Sequence, residues 1–214
     1  MATSTGTVYE NFQLYTEFDE GSDITVDSAV KVSWVNLQNR NQTGYVYKDY
    51  GASHFNGDFI HQFECQYANV GTAANEVFWL LSNDGDGEDR AAHSSNSRTA
   101  VNFDYAQGST SFLLGLAEAD GNWSPSDAWA GSAASTLYYV TITKDHDGGG
   151  NSTGQYVAVI RTGSHVGAVS DTLTVDQSAG KQTPYRYVYV CSTYDDNANA
   201  FTSDGFTQNL NLSP

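Results

Sequence analysis

Four acidic side chains lie in one short stretch, SNDGDGEDR at residues 82–90: Asp84, Asp86, Glu88 and Asp89. Such residues offer only oxygen ligands, and the cation that takes an all-oxygen ligand set of this kind is Ca²⁺ rather than zinc. The alternation is similar to the start of an EF-hand loop. However, the sixth residue counted from Asp84 is Asp89 instead of glycine, and the twelfth is Ser95 instead of glutamate. The stretch is therefore either a solvated turn or a calcium loop of another kind, with Asp84 and Asp86 as ligands.

A second acidic turn, KDHDGGGNSTG at residues 144–154, offers Asp145, Asp147 and Asn151 beside three consecutive glycines. Glycines let the backbone bend so that carbonyl oxygens can surround a cation. The same residues are typical of the tip of a β-hairpin. If the chain binds a metal, we predict calcium in a structural role, with Asp145, Asp147 and Asn151 as its first-choice ligands.

Two tryptophans, Trp123 and Trp129, lie in the polar stretch EADGNWSPSDAWAGS at residues 118–132, which we interpret as a loop. Sugars present apolar C–H faces ringed by hydroxyls, so a sugar site needs an aromatic surface beside short polar groups. Asp120, Asn122 and Asp127 stand beside the indoles. The stretch therefore predicts a glycan-binding platform, and the alternative is that the indoles close the end of the core.

The elements that would position these residues are almost all strands, because short β-rich runs alternate with Gly, Asn, Asp and Ser and little shows a helical period. In DFIHQFECQY, alternation places Phe59, His61, Phe63, Cys65 and Tyr67 on one face. The sequence predicts an all-β, antiparallel two-sheet sandwich as one domain over residues 10–214, preceded by an arm over 1–9. Twelve strands are predicted, at residues 11–18, 29–35, 44–48, 58–67, 76–81, 99–105, 111–117, 137–144, 155–161, 172–175, 185–192 and 206–212.

A tyrosine stripe is predicted on one face of the strand at 185–192, formed by Tyr185, Tyr187 and Tyr189, with Val188 and Val190 on the other face. Tyrosines spaced in this way are typical of core and rim packing, and the alternative is a sugar-binding surface. The two cysteines, Cys65 and Cys191, fall in predicted strands and form either one disulfide or two separate buried thiols.

The composition limits the partners. The 25 acidic residues outnumber the nine Lys and Arg, and the formal charge of −16 repels a phosphate backbone or an anionic lipid surface. No run approaches the about 18 apolar residues of a membrane span. The N-terminal MATSTGTVYENF has no features of a Sec signal peptide. We expect no nucleic-acid partner, no membrane insertion, and an extracellular or virion-surface location.

The order of several motifs resembles the concanavalin A-like lectin/glucanase superfamily, and within it the LamG-type jelly rolls of phage and metagenomic proteins. The motifs are ENFQLYTEFD, GYVYKDYG before GDFIHQFE, WLLSND, LLGLAEADG, LYYVTITKD, YRYVYVCSTYDD and GFTQNLNL. The resemblance implies a jelly-roll β-sandwich with one concave sheet that usually takes the ligand in its groove or at its edge. Because this superfamily contains lectins, enzymes and structural domains, the resemblance does not by itself fix a function.

Catalysis is not expected. Retaining glycosidases need two carboxylates about 5 to 5.5 Å apart, and the related glucanases carry Glu-x-Asp-x-x-Glu on a strand. The nearest match here is Glu118 and Asp120, but Trp123 takes the place of the third acid. HExxH and P-loop motifs are absent from the sequence. We predict a non-catalytic, lectin-like module that binds a cell-surface or other glycan through an edge loop or the concave sheet. The alternative is a capsid-decoration or tail-fibre domain of a virion, which would contact itself or other virion proteins.

Overall fold

The computed structural model describes residues 8–71, 75–84, 87–106, 110–118, 122–148, 154–179, 181–197 and 201–213. Within them lie a 3-10 helix at Phe12–Leu14, one α-helix, α1, at Arg90–Ser95, and fourteen strands. The strands are β1 (Thr16–Asp19), β2 (Ile24–Ser28), β3 (Lys31–Gln38), β4 (Gly44–Asp49), β5 (Phe59–Val70), β6 (Asn75–Ser82), β7 (Thr99–Ala106), β8 (Ser111–Glu118), β9 (Trp123–Trp129), β10 (Tyr138–Asp145), β11 (Gln155–Thr162), β12 (Val169–Asp176), β13 (Tyr187–Ser192) and β14 (Thr202–Ser213).

Two seven-stranded sheets form a sandwich. The front sheet has the order β1-β4-β13-β6-β7-β8-β9, and the back sheet has the order β12-β11-β10-β5-β14-β3-β2. All the strand pairs described are antiparallel, from the β1–β4 pair to the β8–β9 pair. The predicted all-β, two-sheet jelly roll is therefore confirmed.

The core lies between the sheets and is built from the inward face of each strand, as the alternation of side chains requires. Rings from the two sheets meet there: Tyr67 stacks on Tyr105 at a centroid distance of 4.0 Å, and Phe63 meets Phe103 at 5.7 Å. The inward face predicted for β5 is confirmed, because all five of its members are buried: Phe59, His61, Phe63, Cys65 and Tyr67. Both cysteines are buried and free.

Two strands and both helices were not predicted from the sequence. The strand predicted at 11–18 is wrong in its first half, where Phe12–Leu14 form the 3-10 helix, and β1 begins only at Thr16. The interpretation of residues 118–132 as a loop is wrong in its centre, because Trp123–Trp129 forms β9 and pairs with β8. β9 is the last strand of the front sheet, and an edge strand tolerates a proline because one of its sides carries no ladder of hydrogen bonds. β2 and α1 were missed as well. α1 has only six residues, too few to show a helical period.

The tyrosine stripe was predicted correctly for two of its three members. Tyr187 and Tyr189 share the outer face of the front sheet, whereas Val188 and Val190 lie in the core. Tyr185 instead points into the core, where its hydroxyl hydrogen-bonds that of Tyr156 at 2.7 Å. It precedes β13 and joins Phe55 through an isolated bridge, so the alternation of β13 does not extend to it. The described part of the chain contains no helix long and apolar enough to cross a membrane.

Candidate functional site

The outer face of the front sheet carries a second apolar cluster, separate from the core. Its buried members are Tyr45, Val77, Leu80, Ala100, Ala117, Tyr187 and Tyr189, with Tyr47 and Trp123 packed against them. An outer sheet face normally contacts water, yet Tyr189 and Leu80 are fully buried. Other parts of the chain must therefore lie over this face.

Residues 87–98, between β6 and β7, contact this face, and we call them the cover segment. Its His93 ring meets Tyr189 edge to face at 5.2 Å. At its start, a side chain on Gly87 would lie 3.3 Å from the Tyr45 hydroxyl, so the backbone runs close to that ring. The φ of +71° at Gly87 also favours glycine.

Asp89 fixes the place where α1 begins. One carboxylate oxygen accepts the Ala92 N–H at 2.8 Å, as an N-cap does. The other accepts the Asp195 N–H at 2.8 Å and the Thr193 hydroxyl at 3.3 Å. Burial raises the pKa of the Asp89 carboxyl, and the N–H donors of Ala92 and Asp195 oppose that shift. Asp89 thus joins the cover segment to the connection between β13 and β14.

Arg90 joins the same segment to the sheet surface. Its guanidinium lies 3.0 Å from the Asp104 carboxylate, and both side chains are almost completely buried. The guanidinium also lies over the Trp123 ring at 4.5 Å and 5.1 Å from the Tyr194 centroid. Burial raises the pKa of Asp104, and the charge of Arg90 opposes this. Where the cover segment meets the front sheet, the ion pair between Arg90 and Asp104 is therefore buried, and the Arg90 guanidinium lies against the Trp123 indole.

A cavity of about 410 Å³ opens beside α1, and we call it the rim pocket. It is lined by Thr43, Asp89, Ala91, Ala92, Ser94, Ser95, Tyr194, Asp195 and Asp196. The half-buried Tyr194 supplies the aromatic surface, while carboxylates and hydroxyls supply hydrogen-bonding groups. Asp196 is held by hydrogen bonds from Arg40, and Asp195 accepts the Thr43 hydroxyl at 3.4 Å. The pocket therefore combines an aromatic ring with oriented polar groups in a space large enough for a small ligand.

The acids of SNDGDGEDR are engaged in structural contacts wherever the structure describes them. Arg98 pairs with Asp84 at 2.8 Å and with Glu88 at 2.9 Å, while Asp89 caps α1. Asp86 lies outside the described residues. Asp84, a second-choice calcium ligand, thus already has a cationic partner.

Two of the three first-choice calcium ligands are described: Asp145 at the end of β10 and Asp147 in the turn that follows it. Asp145 ends β10 and pairs with Gln155 at the start of β11, and its side chain accepts the Asp147 N–H at 3.2 Å. Asn151 lies outside the described residues. Among the residues that are described, no group of three or more His, Cys, Asp or Glu side chains is placed to hold a metal.

The structure does not bring the two tryptophans together. The pairing of β8 with β9 shifts register between Gly115 and Ala117, and the extra residue turns the two ends of β9 to opposite faces. Trp129 packs on the core beside Phe112, with a centroid distance of 6.2 Å, whereas Trp123 joins the outer cluster. Because they lie on opposite faces of the sheet, the two half-buried rings do not form one continuous platform.

The polar residues predicted beside the tryptophans are also dispersed. Asp127 accepts the Thr174 N–H at 2.9 Å and so links edge strands of the two sheets. Asn122 is exposed, and Asp120 lies outside the described residues. Glu118 is buried and accepts the Ser178 N–H at 2.6 Å, so its carboxylate is engaged within the protein.

Sequence reasoning missed the residues that build the rim pocket. Tyr194, Asp195 and Asp196 follow the tyrosine stripe directly in the sequence YRYVYVCSTYDD. An aromatic residue beside two short acids just after a strand is the one local signal that could have pointed to them. Arg90 and Asp104 had no such signal, because Arg90 ends the acidic stretch SNDGDGEDR and its partner Asp104 lies 14 positions further along the chain, within β7.

Searches of solved structures find similar architectures along nearly the whole chain. Lectin II from Ulex europaeus has a TM-score of 0.54 and 14% identity, covering 94% of this chain and 99% of that one. Lectin I-B4 from Griffonia simplicifolia has a TM-score of 0.59 and 12% identity, covering 94% and 93%. The chain has the concanavalin A-like fold.

The same fold also accommodates an enzyme. A marine PL-14 alginate lyase from Aplysia kurodai has a TM-score of 0.60 and 9% identity, covering 95% of this chain and 92% of that chain. No protein-family model and no curated protein matches the sequence. The comparisons therefore agree with the resemblance seen in the sequence at the level of fold, and function must be argued from the site.

Proposed function

We propose that this protein binds carbohydrate without catalysis and that the rim pocket is its binding site. The observation that carries the proposal is the combination of Tyr194 with aspartates and hydroxyls around a cavity of about 410 Å³. A pyranose ring needs such an aromatic surface for its C–H groups and acceptors for its hydroxyls. The lectins that share the fold support this choice of ligand class.

The charge of the pocket favours a neutral or cationic glycan. Asp89 and Asp195 line the pocket without a cation in the described salt bridges, whereas Asp196 is neutralised by Arg40. The whole chain, including these residues, carries a formal net charge of −16. A polyanion such as alginate would therefore be repelled, and this argues against the activity named for the lyases of this fold.

The test is a glycan array with the full chain, with and without a calcium chelator. We expect the unmodified protein to give a defined set of hits and Tyr194→Ala to weaken them about fivefold, since an aromatic contact is worth about 1 kcal/mol. Tyr139→Ala is the matched control, because Tyr139 is a half-buried tyrosine of the back sheet. An empty array, or equal binding by Tyr194→Ala, would contradict the proposal.

Absence of turnover is the second part of the test. We expect no cleavage of β-glucan or galactan, because Glu118 is buried and engaged by Ser178. We also expect no cleavage of alginate, because the acidic pocket repels this polyanion. Release of unsaturated uronates from alginate would show a lyase instead. Turnover of a β-glucan or galactan that is lost in Glu118→Gln would show a glycosidase.

A further inference from the structure

Asn56 and Gly57 form an exposed link between two anchored parts of the chain. Just before them, Phe55 and Tyr185 exchange backbone hydrogen bonds of 3.1 Å in both directions. Just after them, the strand β5 begins at Phe59. Both residues of the link are exposed, and they are the one Asn-Gly pair in the sequence.

No hydrogen bond restrains the reactive atoms of this pair. Among the described residues, neither the Asn56 side-chain amide nor the Gly57 N–H has a hydrogen-bond partner. Apart from its chain neighbours, a Cβ atom built on Gly57 would meet no heavy atom within 4 Å, so the space around this residue is open. Glycine is also the residue whose backbone changes conformation most readily. The Gly57 nitrogen is therefore free to approach Cγ of Asn56.

Two pairs of aspartate and glycine are also described in full, and both are restrained. The Gly148 N–H, after Asp147, donates to the Asp145 carbonyl at 3.2 Å, and a Cβ on Gly148 would lie 2.8 Å from the Asp145 side chain. Gly205, after Asp204, lies inside β14, where a Cβ would lie 2.8 Å from a backbone oxygen of β5. Of the Asn-Gly and Asp-Gly pairs that the structure describes in full, only the pair at 56–57 therefore has an unrestrained glycine nitrogen.

We propose that Asn56, a residue of a chemically labile type, is a site of spontaneous modification that converts it to aspartate and isoaspartate. The Gly57 nitrogen gives up its proton and forms a new bond to Cγ of Asn56. The bond from Cγ to the side-chain amide nitrogen breaks, and that nitrogen leaves as ammonia with the proton. Water then opens the cyclic succinimide at either carbonyl, which yields aspartate or isoaspartate. The net change consumes one water and releases one ammonia, with no oxidation or reduction.

The modification adds negative charge beside a cavity of the back sheet. This cavity of about 360 Å³ lies next to the link, because Asp58 and Phe59 are among its lining residues. The Asp58 carboxylate accepts the His146 N–H at 2.7 Å. Conversion replaces the neutral amide of Asn56 with a carboxylate two positions before Asp58, and isoaspartate also lengthens the main chain by one methylene. Ageing therefore makes the surroundings of the cavity more acidic.

The test is a timed incubation of the folded, full chain in mildly alkaline buffer, followed by peptide mass spectrometry. We expect Asn56 to gain the mass of the acid, and an isoaspartyl methyltransferase to label the same peptide. The matched control is Gly57→Ala, which the fold tolerates because the φ of Gly57 lies outside the left-handed region and the space is open. The added Cβ shields the nitrogen, so we expect the conversion to be lost in this variant. Asn96 is an internal reference that should stay unchanged, because its side chain donates to Glu88 at 2.8 Å.

The role of the fold is tested by repeating the incubation in urea. Unfolding frees the two restrained glycine nitrogens, so Asp147 and Asp204 should then form isoaspartate as well. An Asn56 that stays unchanged in the folded chain, or that converts equally in Gly57→Ala, would overturn the proposed site. Isoaspartate that forms at Asp147 or Asp204 as fast in the folded chain as in urea would overturn the protection by the fold. All of these outcomes are independent of glycan binding.

Discussion

His61 makes the stability of this fold sensitive to acid. The side chain is fully buried, and neither ring nitrogen has a hydrogen-bond partner within the described residues. It stacks on Phe59 at 4.3 Å and meets Trp79 edge to face at 5.6 Å. Burial lowers the pKa of His61 from 6.5 to about 3, and the nearby His54 adds to the shift. The folded protein therefore holds a neutral imidazole where the unfolded chain would take up a proton.

The size of the effect follows from this difference in pKa. Above the unfolded pKa of about 6.5, both states are neutral and His61 adds no pH dependence. Below that pH the unfolded chain binds the proton and the folded protein does not, so the free energy of unfolding falls by about 1.36 kcal/mol per pH unit. Between pH 6.5 and about pH 4.5 the loss is about 3 kcal/mol.

We therefore expect His61→Met to remove this loss, because methionine has a similar volume and does not titrate. The measurement is urea unfolding at about pH 7 and about pH 4.5. Other titrating groups contribute equally to both proteins, so the difference between their pH dependences isolates His61. The control is His54→Gln at an exposed neighbour, which should keep the acid sensitivity of the unmodified protein. Equal losses in the unmodified protein and His61→Met would refute the reasoning.

Three further predictions concern the other candidate groups. Trp129→Ala should lower the free energy of unfolding by about 3 kcal/mol, because the ring packs on the core. Trp123→Ala should lower it by only about 1 kcal/mol, because the main loss is the contact with Arg90. Urea unfolding of both variants measures the difference. Burial raises the pKa of Glu76, so the folded protein holds this proton to a higher pH than the unfolded chain, which ionises above about pH 4.5. Glu76→Gln should therefore be more stable than the unmodified protein at pH 7 and nearly equally stable below about pH 4. Thermal unfolding at both pH values measures this, and equal melting temperatures of the two proteins at pH 7 would contradict it. If Asp145 and Asp147 hold structural calcium, EDTA should lower the melting temperature, and an unchanged melting curve would remove that proposal.

The amino-acid sequence by itself determined the properties that depend on near neighbours in the chain. Alternation along β5 set which side chains face the core, since successive residues of a strand point to opposite faces. Glycine and aspartate after Lys144 set the hairpin tip that joins β10 to β11. The excess of acidic residues set the net charge whatever the fold. These features were predictable because each depends on a few consecutive residues.

Tertiary structure alone decided which residues meet at the candidate site. The Asp89 carboxylate contacts the Asp195 N–H, 106 positions away in the chain, and the strand order of the front sheet determines that contact. A single extra residue in β9 separated Trp123 from Trp129, and no local pattern encodes such a register shift. The acids of SNDGDGEDR illustrate both levels. Their composition predicts a turn or a cation site, but their actual partners depend on where the folded chain brings Arg98 and the connection between β13 and β14.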